Sequence, residues 1–314
     1  MIPALVLTAG LATRLRPLSY VRAKAALPVA GDALIRRILR QLAAAGVTDA
    51  VLNLHHKPET VAAAVGDGAD LGLRVRYSWE APVALGSAGG PRHALQLLDS
   101  DTFLIVNGDT LTSVDIGKII DEHRRTGAVV TMALIRNTEP EKYGGVRVDA
   151  DGAITGFVPR GTPQPSCHFV GVQVARASAF ASLPDNVPHE SVVALYPALM
   201  ASTPGSVRGF VTDATFMDIG TPADYLNTSL ILAAQEGSRL VGARARIAPN
   251  ARVERSILWD DVEIGEGAFL RECIVTDGVH VPADTSWQGV TMRPASEGLA
   301  PGEKRIGNLA IGHL

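Results

Sequence analysis

Cysteine is nearly absent from this chain of 314 residues: only Cys167 and Cys273 occur, with no CxxC spacing. That excludes a disulfide framework and a thiolate zinc site, and makes a reducing compartment, the cytoplasm, the expected location. No apolar run reaches membrane-spanning length, and Met1-Ile2-Pro3-Ala4-Leu5-Val6-Leu7 has no basic flank, so neither an anchor nor a signal peptide is expected. An excess of either charge is also missing. With a formal net charge of -3, wholesale nucleic-acid binding is excluded, and any anionic ligand must be met by a few placed cations and backbone N–H groups. What is abundant is hydrophobic residues, 46%, with 31 Gly and 19 Pro, the profile of a loop-rich α/β protein with one large domain and a smaller one.

Apolar runs of strand length alternate with helix-periodic segments through the first half, the pattern of a mostly parallel sheet covered by helices. Strands are predicted at Ile2–Leu7, Ala50–Leu54, Leu73–Tyr77, Phe103–Val106 and Ala128–Ile135. Helices are predicted through Leu34, Ile35, Ile38, Leu39 and Leu42, with Asp32 as cap and Gly46 as stop, and at Pro58–Val65, Gly90–Leu98, Val114–Arg125 and Thr221–Gln235. Beyond the last helix a repeat takes over. Ile247, Ile264 and Val281 recur at a spacing of 17 residues, and Val253, Ser256, Ile257, Asp260 and Val262 return as Leu270, Cys273, Ile274, Asp277 and Val279. This period suits short coils of a hexapeptide-type β-helix with Ile247, Val253, Ile257, Val262, Ile264, Leu270, Ile274 and Val281 inside. So few coils are expected to pack on the rest of the chain or on a second copy, and no regular structure is expected from Arg293 onward.

For anions the sequence has neither a GxxxxGK[ST] run nor a GxGxxG after the first strand, which excludes a Walker loop and a dinucleotide fingerprint. Instead, Thr8-Ala9-Gly10-Leu11-Ala12-Thr13-Arg14 places small residues where a backbone must turn closely around a ligand, and Arg14, Arg16 and Lys24 add cations suited to phosphates. The stretch resembles the signature of the nucleotide-sugar pyrophosphorylases, or sugar-1-phosphate nucleotidyltransferases; in overall pattern the chain is similar to the mannose-1-phosphate guanylyltransferase-like group with a C-terminal β-helix and to the shorter uridylyltransferases of cell-wall sugar salvage. That signature is GxGTR, nine residues, then Lys, with residues 15–23 as the nine. The resemblance implies that Ala9, Gly10, Leu11 and Thr13 hold the nucleotide, Arg14 the departing pyrophosphate, and Lys24 the α-phosphate or sugar phosphate. Ala12 replaces the second glycine, and Ala25 the usual proline after the lysine.

Phe103-Leu104-Ile105-Val106-Asn107-Gly108-Asp109 is an apolar strand ending in a carboxylate, where open α/β sheets bind ligands. Phe216-Met217-Asp218-Ile219-Gly220-Thr221-Pro222 resembles the family's W-x-D-I-G-T-P segment. The resemblance implies that Asp109 and Asp218 hold Mg²⁺; read alone, Asn107-Gly108-Asp109 is a turn and Asp218 a helix cap. Leu85-Gly86-Ser87-Ala88-Gly89 resembles L-G-T-A-G, which implies Gly86 and Ser87 beside the base through backbone and hydroxyl. Tyr143-Gly144-Gly145 with Phe157-Val158-Pro159-Arg160, and His168 to Gln173, stand where the family holds sugar. Gly144, Gly145, Arg160 and Gly171 are the candidates there, but Pro159 replaces the hydroxyl-binding Glu, and the segment His168 to Gln173 keeps Gly171 while losing the Asn.

The fold so implied is an α/β, Rossmann-like nucleotidyltransferase domain over residues 1–236, a short left-handed β-helix over 237–292 and a tail over 293–314. The implied reaction joins an NTP and a sugar 1-phosphate to give an NDP-sugar and pyrophosphate. GTP and mannose 1-phosphate are favoured by the β-helix. Uridylyl or thymidylyl transfer to another sugar, and an idle nucleotide-sugar sensor, stay open; an acyltransferase fits poorly, since the coils hold no catalytic histidine. No nucleic acid or membrane partner is expected; a homo-oligomer through the β-helix is.

Overall fold

A computed structural model describes residues 2–314, whose contacts divide into two units. One takes the chain up to Gly10, Arg36–Pro58 and Val65–Met217; the other takes Leu11–Ile35, Glu59–Ala64 and Asp218–Leu314.

The first unit is built on a nine-stranded sheet. Its parallel part sets Ala4–Leu7 between Asp49–Leu54 and Thr102–Asn107, with Arg74–Trp79 outside Asp49–Leu54. Strands covered on both faces must be apolar throughout, and Ala4, Leu5, Val6 and the run Phe103 to Val106 are all buried. Beyond Thr102–Asn107 the strand Cys167–Arg176 joins antiparallel and pairs in turn with Val130–Arg136; Val207–Val211 runs parallel to the latter. The strands Gly145–Val148 and Ile154–Val158 form an antiparallel pair at the edge.

Most predicted elements lie within two residues of those observed, and Pro58–Val65 has the predicted bounds. The first long helix, Leu34–Ala44, ends as its sequence requires: Gly46 at φ 86° lets the N–H groups of Gly46 and Val47 reach the carbonyls of Ala43 and Leu42. Its start differs from expectation. Asp32 is not a cap but lies in a two-residue ribbon, Asp32–Ala33 against Pro28–Val29, closed by Ala30 and Gly31 at positive φ. The helix predicted from Gly90 begins at Gly86, because the carbonyl of His189 accepts from the N–H groups of Ala88 and Gly89; that partner lies far along the chain.

In the second unit three short strands per coil stack into three parallel ladders, and partners are 17 residues apart at every rung. Ile257, Val262, Ile264, Leu270, Ile274 and Val281 are buried as predicted. Ile247 is not, at 40% exposed: it lies on the first rung, which is stacked on only one side. The segment from Arg293, expected to be irregular, extends one of the three ladders. Val290–Pro294 pairs with Leu309–His313, which pairs with Lys304–Ile306. A buried bidentate pair locks this hairpin, Arg293 Nε to Glu303 Oε1 at 2.9 Å and Nη2 to Oε2 at 2.5 Å. The amide of Ala300 and the carbonyl of Gly298 satisfy what remains of the two groups. Such a pair is stable only when fully hydrogen-bonded, and its partners lie far apart for a sequence pattern to announce. Cys167 and Cys273 are free thiols, and no helix among the described residues is long and apolar enough to cross a membrane.

Two stability predictions follow from these details. His123, 4% exposed and bonded through Nδ1 to Thr131 Oγ1 at 2.9 Å, has its pKa pushed down to about 4 by burial, aided by Arg176 and Arg124. The unfolded chain then binds the proton more readily. Stability should fall by about 1.4 kcal/mol per pH unit as pH drops below the ordinary histidine value toward the depressed one. In urea titrations the difference between pH 7.5 and pH 5 should shrink by about 2 kcal/mol in His123→Gln; equal acid sensitivity would assign the effect elsewhere. Ala12 sits in the left-handed region at φ 47°, which disfavours an L side chain by about 1–2 kcal/mol. Ala12→Gly should therefore raise stability, by up to about 1 kcal/mol after the added freedom of the unfolded chain, and a lowered melting temperature would contradict this.

Candidate active site

The strands Ala4–Leu7 and Thr102–Asn107 end side by side, Leu7 opposite Asn107. There the N–H of Gly108 donates to the carbonyl of Leu7 at 2.9 Å, and a Cβ on residue 108 would lie 2.6 Å from both Leu7 O and Thr8 Cγ2. Only glycine fits this approach. The turn it allows places Asp109 at the carboxyl edge of the parallel strands, the ligand-binding edge of open α/β sheets. A cavity of about 230 Å³ opens there, lined by Leu7, Ala9, Gly10, Asn53, Ala84, Gly86, Ser87, Asn107 and Asp109. Nothing lies within 4 Å of a Cβ built on Gly10, so the backbone is left bare for a close ligand.

The fold thus brings Ala9, Gly10, Gly86, Ser87 and Asp109 around one cavity. Two residues that the sequence reading passed over hold its wall. Thr8 N–H donates to Asn53 Oδ1 at 2.6 Å and the Thr8 hydroxyl to the Asn53 carbonyl; Asn53 Nδ2 donates to Glu80 Oε1 at 2.7 Å. The other oxygen of Glu80 accepts from Leu85 N–H at 2.6 Å. Asn53 is 2% exposed and Glu80 3%. The only signal in the sequence was an asparagine inside the otherwise apolar Ala50-Val51-Leu52-Asn53-Leu54. Ser87 lines the cavity, and its hydroxyl is engaged: it donates to Glu190 Oε2 at 2.6 Å and accepts from Ser191 N–H at 2.8 Å.

The residues expected at the sugar are close to a second feature of the same unit. Tyr143, His168 and Phe216 form an aromatic cluster with ring centroids 4.3, 4.8 and 5.6 Å apart. Phe216 stands where the family pattern has Trp. Gly144 lies beside the cluster, its carbonyl 3.5 Å from His168 Nδ1. Gly145 packs on Val158 and Ser166, and Gly171 against Asn107 and Thr110. Arg160 is exposed on the loop after Ile154–Val158.

In the second unit Arg14, Lys24 and Asp218 come together. Lys24 Nζ lies 3.9 Å from Asp218 Oδ1, both side chains 11% exposed. A Cβ on Gly220 would lie 2.9 Å from Asp218 Oδ2 and 3.2 Å from Arg14 Nη1 and Asp224 Oδ2, so cation and carboxylates converge on that glycine. Asp218 is not a helix cap: Thr221 caps Pro222–Glu236, its hydroxyl accepting from Asp224 N–H at 3.1 Å. Leu11 and Thr13 belong to this unit and are exposed. No group of three or more His, Cys, Asp or Glu among the described residues forms a ready metal cage. The carboxylates Asp109 and Asp218 are hard oxygen donors, the type Mg²⁺ takes one or two of while keeping waters and phosphate oxygens.

Two family descriptions match the chain: "Nucleotidyl transferase" over residues 3–235 and "GlmU-like, C-terminal hexapeptide" over residues 227–290. A mannose-1-phosphate guanylyltransferase of Mycobacterium tuberculosis is 31% identical over 294 residues, covering 90% of this chain and 82% of that protein. An N-acetylmuramate alpha-1-phosphate uridylyltransferase of Caulobacter vibrioides is 34% identical over 241 residues, covering 73% of this chain and 96% of its own. Among solved structures, HddC from Yersinia pseudotuberculosis superposes with a TM-score of 0.65 over 74% of this chain and all of its own, at 22% identity, a likeness of fold. The chain belongs to the nucleotidyl transferase family, as a sugar-1-phosphate nucleotidyltransferase with a C-terminal hexapeptide β-helix.

Proposed function

We propose that this enzyme transfers a guanylyl group from GTP to mannose 1-phosphate, releasing pyrophosphate. The observation that carries the reading is likeness to the mycobacterial guanylyltransferase across 90% of the chain, sheet domain and hexapeptide coils together. A second reading, uridylyl transfer, is favoured by the 34% identity to the Caulobacter enzyme, which extends over 73% of this chain.

In either reading an oxygen of the sugar phosphate attacks the α-phosphorus in line, one P–O bond forming as the bond to pyrophosphate breaks. No general base is needed, because the sugar phosphate is already ionised at neutral pH. Catalysis then rests on positioning and charge. The backbone from Ala9 to Thr13 holds the nucleotide, with Gly86 and Ser87 at the base. Arg14 neutralises the departing pyrophosphate, where a fork of N–H donors suits two oxygens at once. Lys24 serves the α-phosphate or the sugar phosphate as a point charge. Gly144, Gly145, Arg160 and Gly171 border the sugar, with the rings of Tyr143, His168 and Phe216 beside them. Asp109 and Asp218 would hold Mg²⁺, which supplies charge neutralisation at the triphosphate. Residues 1–236 carry this chemistry, and those beyond support it.

Pyrophosphate release measured over a matrix of NTPs and sugar 1-phosphates tests the assignment. GTP with mannose 1-phosphate should give the highest kcat/KM; a maximum with UTP would transfer the assignment to the second reading, and turnover with no pair would leave a nucleotide-sugar sensor. Asp109→Ala should lower kcat/KM by at least about a hundredfold, on the order of 3 kcal/mol, with the melting temperature little changed. Activity within about tenfold of the parent would remove the metal from that carboxylate.

A further inference from the structure

Lys24 stands between two anchors that the sequence signature does not include. Two residues before it, Arg22 donates from Nε to Asp277 Oδ2 at 2.7 Å, and from Nη2 to Asp277 Oδ1 and Asp260 Oδ2 at 2.6 Å each. The same guanidinium lies 5.3 Å from the centroid of the Trp259 ring. Four residues after Lys24, the carbonyl of Pro28 accepts from the Tyr225 hydroxyl at 2.6 Å, and that hydroxyl accepts from Trp259 Nε1 at 3.0 Å. Asp260 and Asp277 occupy equivalent places on successive coils, and the amide of Asp260 donates to Asp277 Oδ1 at 3.1 Å, which holds both carboxylates in place. The apolar coil core closes without either of them.

A guanidinium gripped on three sides has little freedom left, whereas a lysine alone cannot fix its own backbone. Phosphate transfer is sensitive to misplacement on the scale of one ångström. We propose that Arg22, held by Asp260 and Asp277, is a positioning residue that sets the backbone of Lys24, so that the C-terminal coils act on phosphate transfer through this clamp. The inference rests on the reading of Lys24 as a phosphate ligand.

A double-mutant cycle in the full-length enzyme tests it, with Asp277→Asn, Lys24→Ala and the two combined, each followed by kcat/KM for both substrates and by thermal melting. Asp277→Asn keeps the shape and removes the charge. Alone it should lower kcat/KM at least about tenfold with a near-parental melting temperature. Combined with Lys24→Ala it should add less than about twofold, because there is no longer a lysine to position. Arg22→Lys, which keeps the charge and loses the fork, should reproduce the loss and serves should Asp277→Asn fold poorly. Parental activity in Asp277→Asn and Arg22→Lys, or equal losses with and without Lys24, would overturn the clamp. Parental activity in Lys24→Ala would instead remove the reading of Lys24 on which it rests, so the two failures are distinguishable.

Discussion

A carboxylate removed from water must have its oxygens satisfied, and the cavity wall at the carboxyl edge of the sheet is arranged around one that is. Glu80 accepts from Asn53 on one oxygen and from the Leu85 amide on the other, while Asn53 accepts from Thr8. Three segments far apart in sequence are thereby held to one polar core: the start of the loop after the first strand, the end of the second strand and the turn leading into the helix Gly86–Leu98. A half-satisfied network of this kind would be worse than an apolar wall. The network also explains why Gly90 carries no side chain, since a Cβ there would lie 2.7 Å from Glu80 Oε1 and 2.9 Å from Asn53 Nδ2.

The second unit solves a different problem. A few coils of β-helix leave the ends of their core open and bury little on their own. Here one end is finished by the hairpin that Arg293 and Glu303 lock together. That arginine also faces the ring of Tyr20, its guanidinium carbon 5.3 Å from the centroid, and Arg16 approaches the same ring at 5.3 Å. Near the other end Trp259 is fully buried, with Tyr225 edge-on at 6.5 Å and Arg22 against its ring. The burial of Tyr225 raises its pKa, which keeps its hydroxyl protonated and able to donate to Pro28. Aromatic rings thus serve as contact area and as hydrogen-bond handles, joining the coils to the segment Leu11–Ile35 that carries Arg14 and Lys24.

The aromatic cluster of Tyr143, His168 and Phe216 accounts for part of the departure from the family pattern. Where the pattern calls for Trp, this chain has Phe216, and its ring meets those of His168 and Tyr143 with centroids 4.8 and 5.6 Å apart. A change at any one of these three rings therefore alters the packing available to the other two.

Local chemistry determined what could be read without a structure. Strands and helices followed from apolar spacing, the helix stop at Gly46 from a glycine free to take positive φ, and the coils from a repeat whose rungs match to the residue. The cations Arg14 and Lys24 and the carboxylates Asp109 and Asp218 were singled out by their resemblance to the family's motifs, and read alone neither carboxylate stood out from a turn or a helix cap. Only tertiary structure decided the rest. Asp32 lost the role of cap to a hairpin, the tail from Arg293 became sheet through a partner ten residues on, and the hydroxyl of Ser87 was taken by Glu190. Asn53, Glu80 and Arg22 gained their importance from partners 27, 5 and 255 residues away. A hydrogen bond depends on where two groups meet in space, and spacing along the chain carries that information only when both groups belong to the same regular element.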